Sequence, residues 1–381
     1  MKYLIFFFSL FFAFVSSSQT KRCSFEEYRE VLKQKGMFQY PKKALISTPN
    51  YSGTYTIPVV VHVLYNNPDQ NLSDERIYSQ MDVLNNDFNA LNTNISDVPV
   101  EFQSVIGNVG ISFCLIQEDL NGDSFSGINR IFTNVEEFQA FSDEMKKSDQ
   151  GGVDAWDTEN YLNIWVCDLS GSALGFATMP GDVSADLDGV VIDYEYFGIN
   201  TVSSSPYNLG RTGTHELGHY LNLEHIFYAG CSSWDQCSDT PAQSSSTFGC
   251  PQSPQQSCQT TDMTMNYMDY TDDACMSMFT TCQANRMMNA LINLRPQLSG
   301  DCSISTINES SDDLDLLIYP NPVIDELNIN TYSVDVSIYN IYGKKVYSTY
   351  MDEHETIDVS FLSSGPYMLS IGDKWHAFIK Q

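Results

Sequence analysis

The period of apolar and polar positions changes several times along the chain, and each change marks an element. Residues 3–15 are almost wholly apolar and lie between Lys2 and Ser16-Ser17-Ser18. A run that short, with those flanks, predicts a cleavable export signal over residues 1–18 rather than a membrane span. Thr56 to Tyr65 is a near-continuous β-branched run, which predicts a buried strand. Ser73 stands where a helix N-cap belongs, and residues 76–88 carry the helical period. Strand-like runs follow at 109–116, 161–166, 175–179 and 189–194, and a helical pattern returns at 279–294 before Arg295-Pro296. This order predicts an α+β domain: a mixed sheet with helices packed on it, and an edge strand able to pair with an extended peptide.

Past Cys302 the pattern is different. Residues 301–315 are polar and acidic, a linker by composition. Short alternating runs then appear at 316–319, 326–330, 334–339, 345–350, 356–359 and 367–371. Asn321-Pro322, Tyr342-Gly343 and Ser364-Gly365-Pro366 separate them as turns. The prediction is a small antiparallel all-β sandwich over residues 316–381.

Composition narrows the function classes. The 381 residues are long enough for two domains, and 42% apolar content supplies a core. A net charge of −29 and a pI near 4.2 argue against nucleic-acid or anionic-membrane partners. After residue 18 no stretch is long and apolar enough for a membrane helix. Ten cysteines in an exported chain imply disulfides, and six of them crowd between residues 231 and 282. Cys23 stands apart, in Lys21-Arg22-Cys23-Ser24, ahead of a charged, helix-prone stretch reaching Met37. Lys42 and Lys43 follow in a polar linker that a protease could cut. A lone early thiol has two readings, a latency device that occupies a metal's open position or an ordinary disulfide partner.

The candidate chemistry lies in His215-Glu216-Leu217-Gly218-His219-Tyr220-Leu221-Asn222-Leu223-Glu224-His225. Histidines four apart on a helix share a face, so His215 and His219 can address one ion. Glu216, one position round, can reach a water there but is poorly placed to ligate. This is the helical H-E-x-x-H zinc-hydrolase pattern, with the acid as general base. On a continued helix His225 would lie about 9 Å beyond His219 and on another face. It can join them only if the chain turns sharply, and Asn222 is a residue type that accepts the left-handed conformation such a turn needs. Three histidines with an open fourth position mark a catalytic zinc. Of the other histidines, His62 reads as a core residue, and His354 and His376 as surface ones.

This window, together with Asn266-Tyr267-Met268-Asp269-Tyr270, Ile57-Pro58-Val59-Val60-Val61-His62-Val63, Tyr161-Leu162-Asn163-Ile164-Trp165-Val166 and Asp239-Thr240-Pro241, resembles the pappalysin family of metzincins over residues 56–300. The resemblance implies a metzincin-like catalytic domain and a secreted zinc endopeptidase acting on proteins or peptides. It implies zinc on His215, His219 and His225, with Glu216 as base. Met268 would form the turn beneath the metal, and Tyr270 would bind the developing oxyanion. It further implies calcium near Asp239, disulfides Cys231–Cys258 and Cys250–Cys275, and a pro-segment over residues 19–55 in which Cys23 enforces latency. Cys237 and Cys282 fall outside that pattern and could pair with each other, as could Cys114 with Cys167, and the sequence assigns neither of these pairings. Some relatives favour Arg or Lys just after the cut, and Asp272 and Asp273 could line such a pocket. Where the family has glycine between the second and third histidines this chain has Asn222.

The tail is similar to the C-terminal sorting domains of Bacteroidetes type IX secretion, in Ile318-Tyr319-Pro320-Asn321-Pro322-Val323, Ile338-Tyr339-Asn340-Ile341-Tyr342-Gly343-Lys344 and Leu362-Ser363-Ser364-Gly365-Pro366-Tyr367. That implies the secretion machinery as a partner and a location outside the cell or on its surface, reached via the periplasm. A substrate-binding β-module is the alternative for the tail. A monomer is expected. The alternative for the whole chain is a catalytically silent exported metal-binding or adhesion protein.

Overall fold

A computed structural model describes residues 22–39, 55–232, 235–300, 302, 318–319, 323–329, 334–340, 344–351, 355–371 and 374–380. The expected signal peptide, Lys42 and Lys43, and all of the 301–315 linker except Cys302 lie outside them. The chain divides into two compact units, Met1–Ile304 and Ser305–Gln381. No helix among the described residues is long and apolar enough to cross a membrane.

The first unit is built on β1 (Tyr55–Tyr65). Its first half pairs in parallel with β2 (Ile111–Leu115), and its second half with β3 (Ile128–Phe132). Its other side pairs in parallel with β4 (Leu162–Cys167). The sheet continues through β6 (Val190–Asp193), parallel to β4, to the edge strand β5 (Gly175–Ala177), antiparallel to β6. Strands covered on both faces read as continuous apolar runs, which is why β1 and β4 carry so few polar positions. The period of two still sorts their side chains. Val59, Val61, Val63, Ile164 and Ile192 join the core beneath the helices, while Leu64, Trp165, Cys167 and Val191 join a second core on the other face.

Four helices pack on this frame: α1 (Phe25–Gln34), α2 (Asp74–Phe88), α3 (Arg211–Tyr220) and α4 (Thr281–Leu294). Ser73 caps α2 by accepting from the Arg76 amide. The expected helix from 279 begins two residues later. Phe279–Thr280 first pair with Ile106–Gly107, and Thr280 and Gln283 then cap α4 reciprocally. β3 was not among the predicted strands.

Three disulfides are present: Cys231–Cys258, Cys250–Cys275 and Cys114–Cys302. The Cys114–Cys167 pairing does not form. β1 separates the strands that carry these cysteines, which puts them about 10 Å apart, beyond the reach of a disulfide. Cys167 is a buried thiol at the end of β4. Cys237 and Cys282 are not joined either, though their thiols are in hydrogen-bond contact.

The second unit holds two antiparallel sheets. Ile318–Tyr319, Glu326–Ile329 and Glu355–Asp358 form one; Lys345–Met351, Val334–Asn340, Gly365–Ile371 and Lys374–Lys380 form the other. Leu327, Ile329, Val336, Ile338, Leu369 and Phe378 share one apolar core. The last strand was not expected.

Candidate active site

Helix α3 ends in a turn that the sequence dictates. Asn222 has φ 76°, the Leu223 amide donates to Gly218 O at 2.9 Å, and the Asn222 amide donates to His219 O at 2.8 Å. This six-to-one and five-to-two pair is the Schellman arrangement, with asparagine in the left-handed position usually held by glycine. The reversal swings His225 back beside His215 and His219. Its Nε2 lies 3.0 Å from the Nε2 of each.

The other ring nitrogens are committed. His215 Nδ1 donates to Tyr267 O at 2.6 Å, His219 Nδ1 to Leu223 O at 2.7 Å, and His225 Nδ1 to Glu26 Oε1 at 2.5 Å. Burial lowers the pKa of His215 and His219 well below the usual imidazole value. With their Nδ1 donating to carbonyl oxygens, His215 and His219 each turn an Nε2 lone pair toward the Nε2 of His225. Three buried imidazole nitrogens at this spacing make a donor set that fits a small dication with nitrogen preference. The Cys23 Sγ belongs to the same cluster, its ligand atoms all within 4.8 Å of one another.

Glu216 is fully buried beside this point, with Oε2 3.5 Å from Cys23 Sγ and Oε1 without a hydrogen-bond partner. Burial pushes its carboxyl up to about 8 and the Cys23 thiol well above its ordinary range. A bound cation acts the other way on both. Beneath α3, Met268 is buried, and a Cβ on Gly218 would meet its Sδ at 2.4 Å. Only glycine lets the turn come this close. The Tyr270 ring lies 5.0 Å from that of His225, and its hydroxyl donates to Cys23 O at 3.2 Å.

Residues 22–39 fill the cleft. Ser24 donates its amide to Gly175 O on the outer edge of β5 at 3.1 Å. Phe25 stacks on His219 at 4.1 Å, and Tyr28 packs on Phe176 and donates to Asp143. Arg22 is buried, donating to Asp273 Oδ1 at 2.7 Å and to Thr271 O at 2.9 Å, with its guanidinium over the Tyr207 ring. Asp273 makes the ion pair with Arg22, and Asp272 lies near enough to feel the same charge.

Other candidates lie elsewhere. The Asp239 carboxylate caps α4, accepting from Thr280 Oγ1 at 2.6 Å and from the Cys282 amide at 2.8 Å. His62 is a core residue held between Asn163 and Asn129, its pKa lowered to about 4 by burial. No role was expected for the cleft residues Glu26, Arg29, Asp182 and Glu224. Glu26 and Arg29 belong to the charged helical stretch following Cys23, Glu224 stands inside the histidine window beside His225, and Asp182 carries no motif.

Residues 145–292 match the family model described as pregnancy-associated plasma protein-A, peptidase family M43, and residues 317–381 match that of the secretion system C-terminal sorting domain. Mature mirolysin of Tannerella forsythia, solved with a cleaved peptide, is 44% identical. The match has a TM-score of 0.63 and covers 65% of this chain and 96% of that one. A promirolysin mutant from the same organism is 41% identical with a TM-score of 0.63, over 71% of this chain and 88% of that one. An extracellular metalloprotease of Colletotrichum graminicola is 32% identical over 246 residues, 62% of this chain and 76% of that protein. The chain belongs to the pappalysin, or M43, family of metallopeptidases. It is a secreted metalloendopeptidase carrying a type IX sorting domain.

Proposed function

We propose that the chain is a zinc endopeptidase whose metal is held by His215, His219 and His225, and that residues 19–55 are a removable pro-segment that keeps it latent. The observation that carries this is the convergence of three buried Nε2 atoms with Glu216 beside them. Zinc at that point would supply Lewis acidity toward the scissile carbonyl and the attacking water. Glu216 takes a proton from that water and returns it to the leaving amine. The Tyr270 hydroxyl donates to the carbonyl oxygen as it gains charge. Met268 packs under the histidine cluster, and the outer edge of β5 offers main-chain groups to an extended substrate.

In the latent form Cys23 Sγ would hold the metal together with the three histidines, and the Cys23 carbonyl meets the Tyr270 hydroxyl. Arg22 in the Asp273 pocket supports a preference for Arg or Lys immediately after the cut, because a pro-segment guanidinium already satisfies a buried carboxylate there. A calcium ion at half-buried Asp239 would find a buried carboxylate close by in Asp235. The tail, by its resemblance, is proposed to deliver the enzyme through the type IX machinery.

The test is metal removal and return. Activated protein stripped by a chelator should lose proteolysis and recover it with one equivalent of zinc per chain. Full activity in metal-free protein would overturn the assignment.

A further inference from the structure

The pro-segment carries two arginines into the cleft, and only Arg22 has been given a destination. Arg29, on α1, places Nε 2.9 Å from Asp182 Oδ2 and Nη1 3.6 Å from Glu224 Oε1. Its guanidinium lies over the rings of Phe25 and Phe38. Asp182 is fully buried, its carboxylate taking a backbone hydrogen bond from Met179 beside this ion pair, and Glu224 Oε2 has no hydrogen-bond partner. The two acids come from separate elements. Asp182 lies in the loop after β5, and Glu224 in the turn that carries His225.

Two other acids nearby, half-buried Asp188 and buried Asp87, find their counter-charge within the catalytic unit itself. Asp188 pairs with Arg295, and Asp87 with Arg211. Asp182 and Glu224 instead face a cation on a segment that has to leave before the cleft can open. Departure of α1 removes this cation and leaves two neighbouring carboxylates whose mutual repulsion favours a new one.

We propose that in the activated enzyme Asp182 and Glu224 form a second specificity pocket, which takes an arginine or lysine side chain of the peptide substrate upstream of the cut. The upstream side follows from the path of residues 22–29. Arg22 enters the Asp273 pocket, Cys23 reaches the histidine cluster, Ser24 pairs with Gly175 of β5, and the chain goes on to Arg29 beside the loop that follows β5. If the Asp273 pocket holds the residue after the cut, the Asp182 pocket holds one before it. The inference rests on the metallopeptidase reading and on removal of α1.

The test uses activated wild-type enzyme on peptides in which each position around one scissile bond is varied among arginine, lysine, norleucine and glutamine. Arginine or lysine at one upstream position should raise kcat/KM about tenfold over norleucine, an energy of about 1.4 kcal/mol. Asp182→Asn should collapse that ratio while a basic preference after the cut persists. Glu224→Gln should lower the same upstream ratio, which covers the case in which the first variant fails to fold. No upstream basic preference in the wild-type enzyme overturns the pocket, and so does one that survives both substitutions. Chelator-sensitive cleavage of the norleucine peptides tests the peptidase reading separately, so the two failures are distinguishable.

Discussion

In the proposed latent state Tyr270 is engaged by Cys23 through a single hydrogen bond. Its hydroxyl donates to the Cys23 carbonyl, where a substrate carbonyl would meet it after activation. Tyr270→Phe removes one donor to the developing oxyanion and should lower kcat about 10²-fold with KM little changed. Steady-state kinetics on one peptide check this, and an unchanged kcat would remove the role. At this scale the sequence was most legible for residues that belong to a spacing: His215, His219 and His225, with Glu216 between. It was opaque for residues whose meaning depends on contact across the chain. Nothing around Gly218 announces that a Cβ there would strike Met268 Sδ. Nothing around Asp182 announces a guanidinium from a helix more than a hundred residues earlier.

Among elements, the turn after α3 decides whether the third histidine arrives. Asn222 holds φ 76° inside a Schellman pair of hydrogen bonds, a conformation that strains any side chain branched at Cβ. Asn222→Gly should leave stability within about 0.5 kcal/mol, whereas Asn222→Val should cost about 1–2 kcal/mol and weaken metal binding by displacing His225. Denaturant unfolding and zinc competition on the two variants measure both. β1, α2, β4 and β6 were legible because apolar runs or a helical period mark them. β3 was not, since Asn129 and Arg130 interrupt its apolar residues and it owes its existence to pairing with the second half of β1. The start of α4 was misjudged for a similar reason: Phe279 and Thr280 are taken by a short strand pair with Ile106 and Gly107 before the helix begins.

For the molecule as a whole, Cys114–Cys302 fastens the end of the catalytic unit to β2 across 188 residues. Composition could announce disulfides but not this partner, because the pairing depends on which strands the sheet puts side by side. In the chain-entropy view a loop that long contributes about 5 kcal/mol. Cys302→Ser should therefore lower the unfolding midpoint sharply, while removal of residues 316–381 with Cys302 retained should not, since the tail has an apolar core of its own. Thermal unfolding of the two forms compares them, and equal midpoints would contradict this account of the disulfide. The most direct test of the central claim is a paired measurement on Glu216→Ala: zinc content, and cleavage of denatured casein after the pro-segment is removed. The account predicts one zinc per chain, a folded protein and turnover reduced by at least about 10³-fold. Cleavage at a rate comparable to wild type would contradict it.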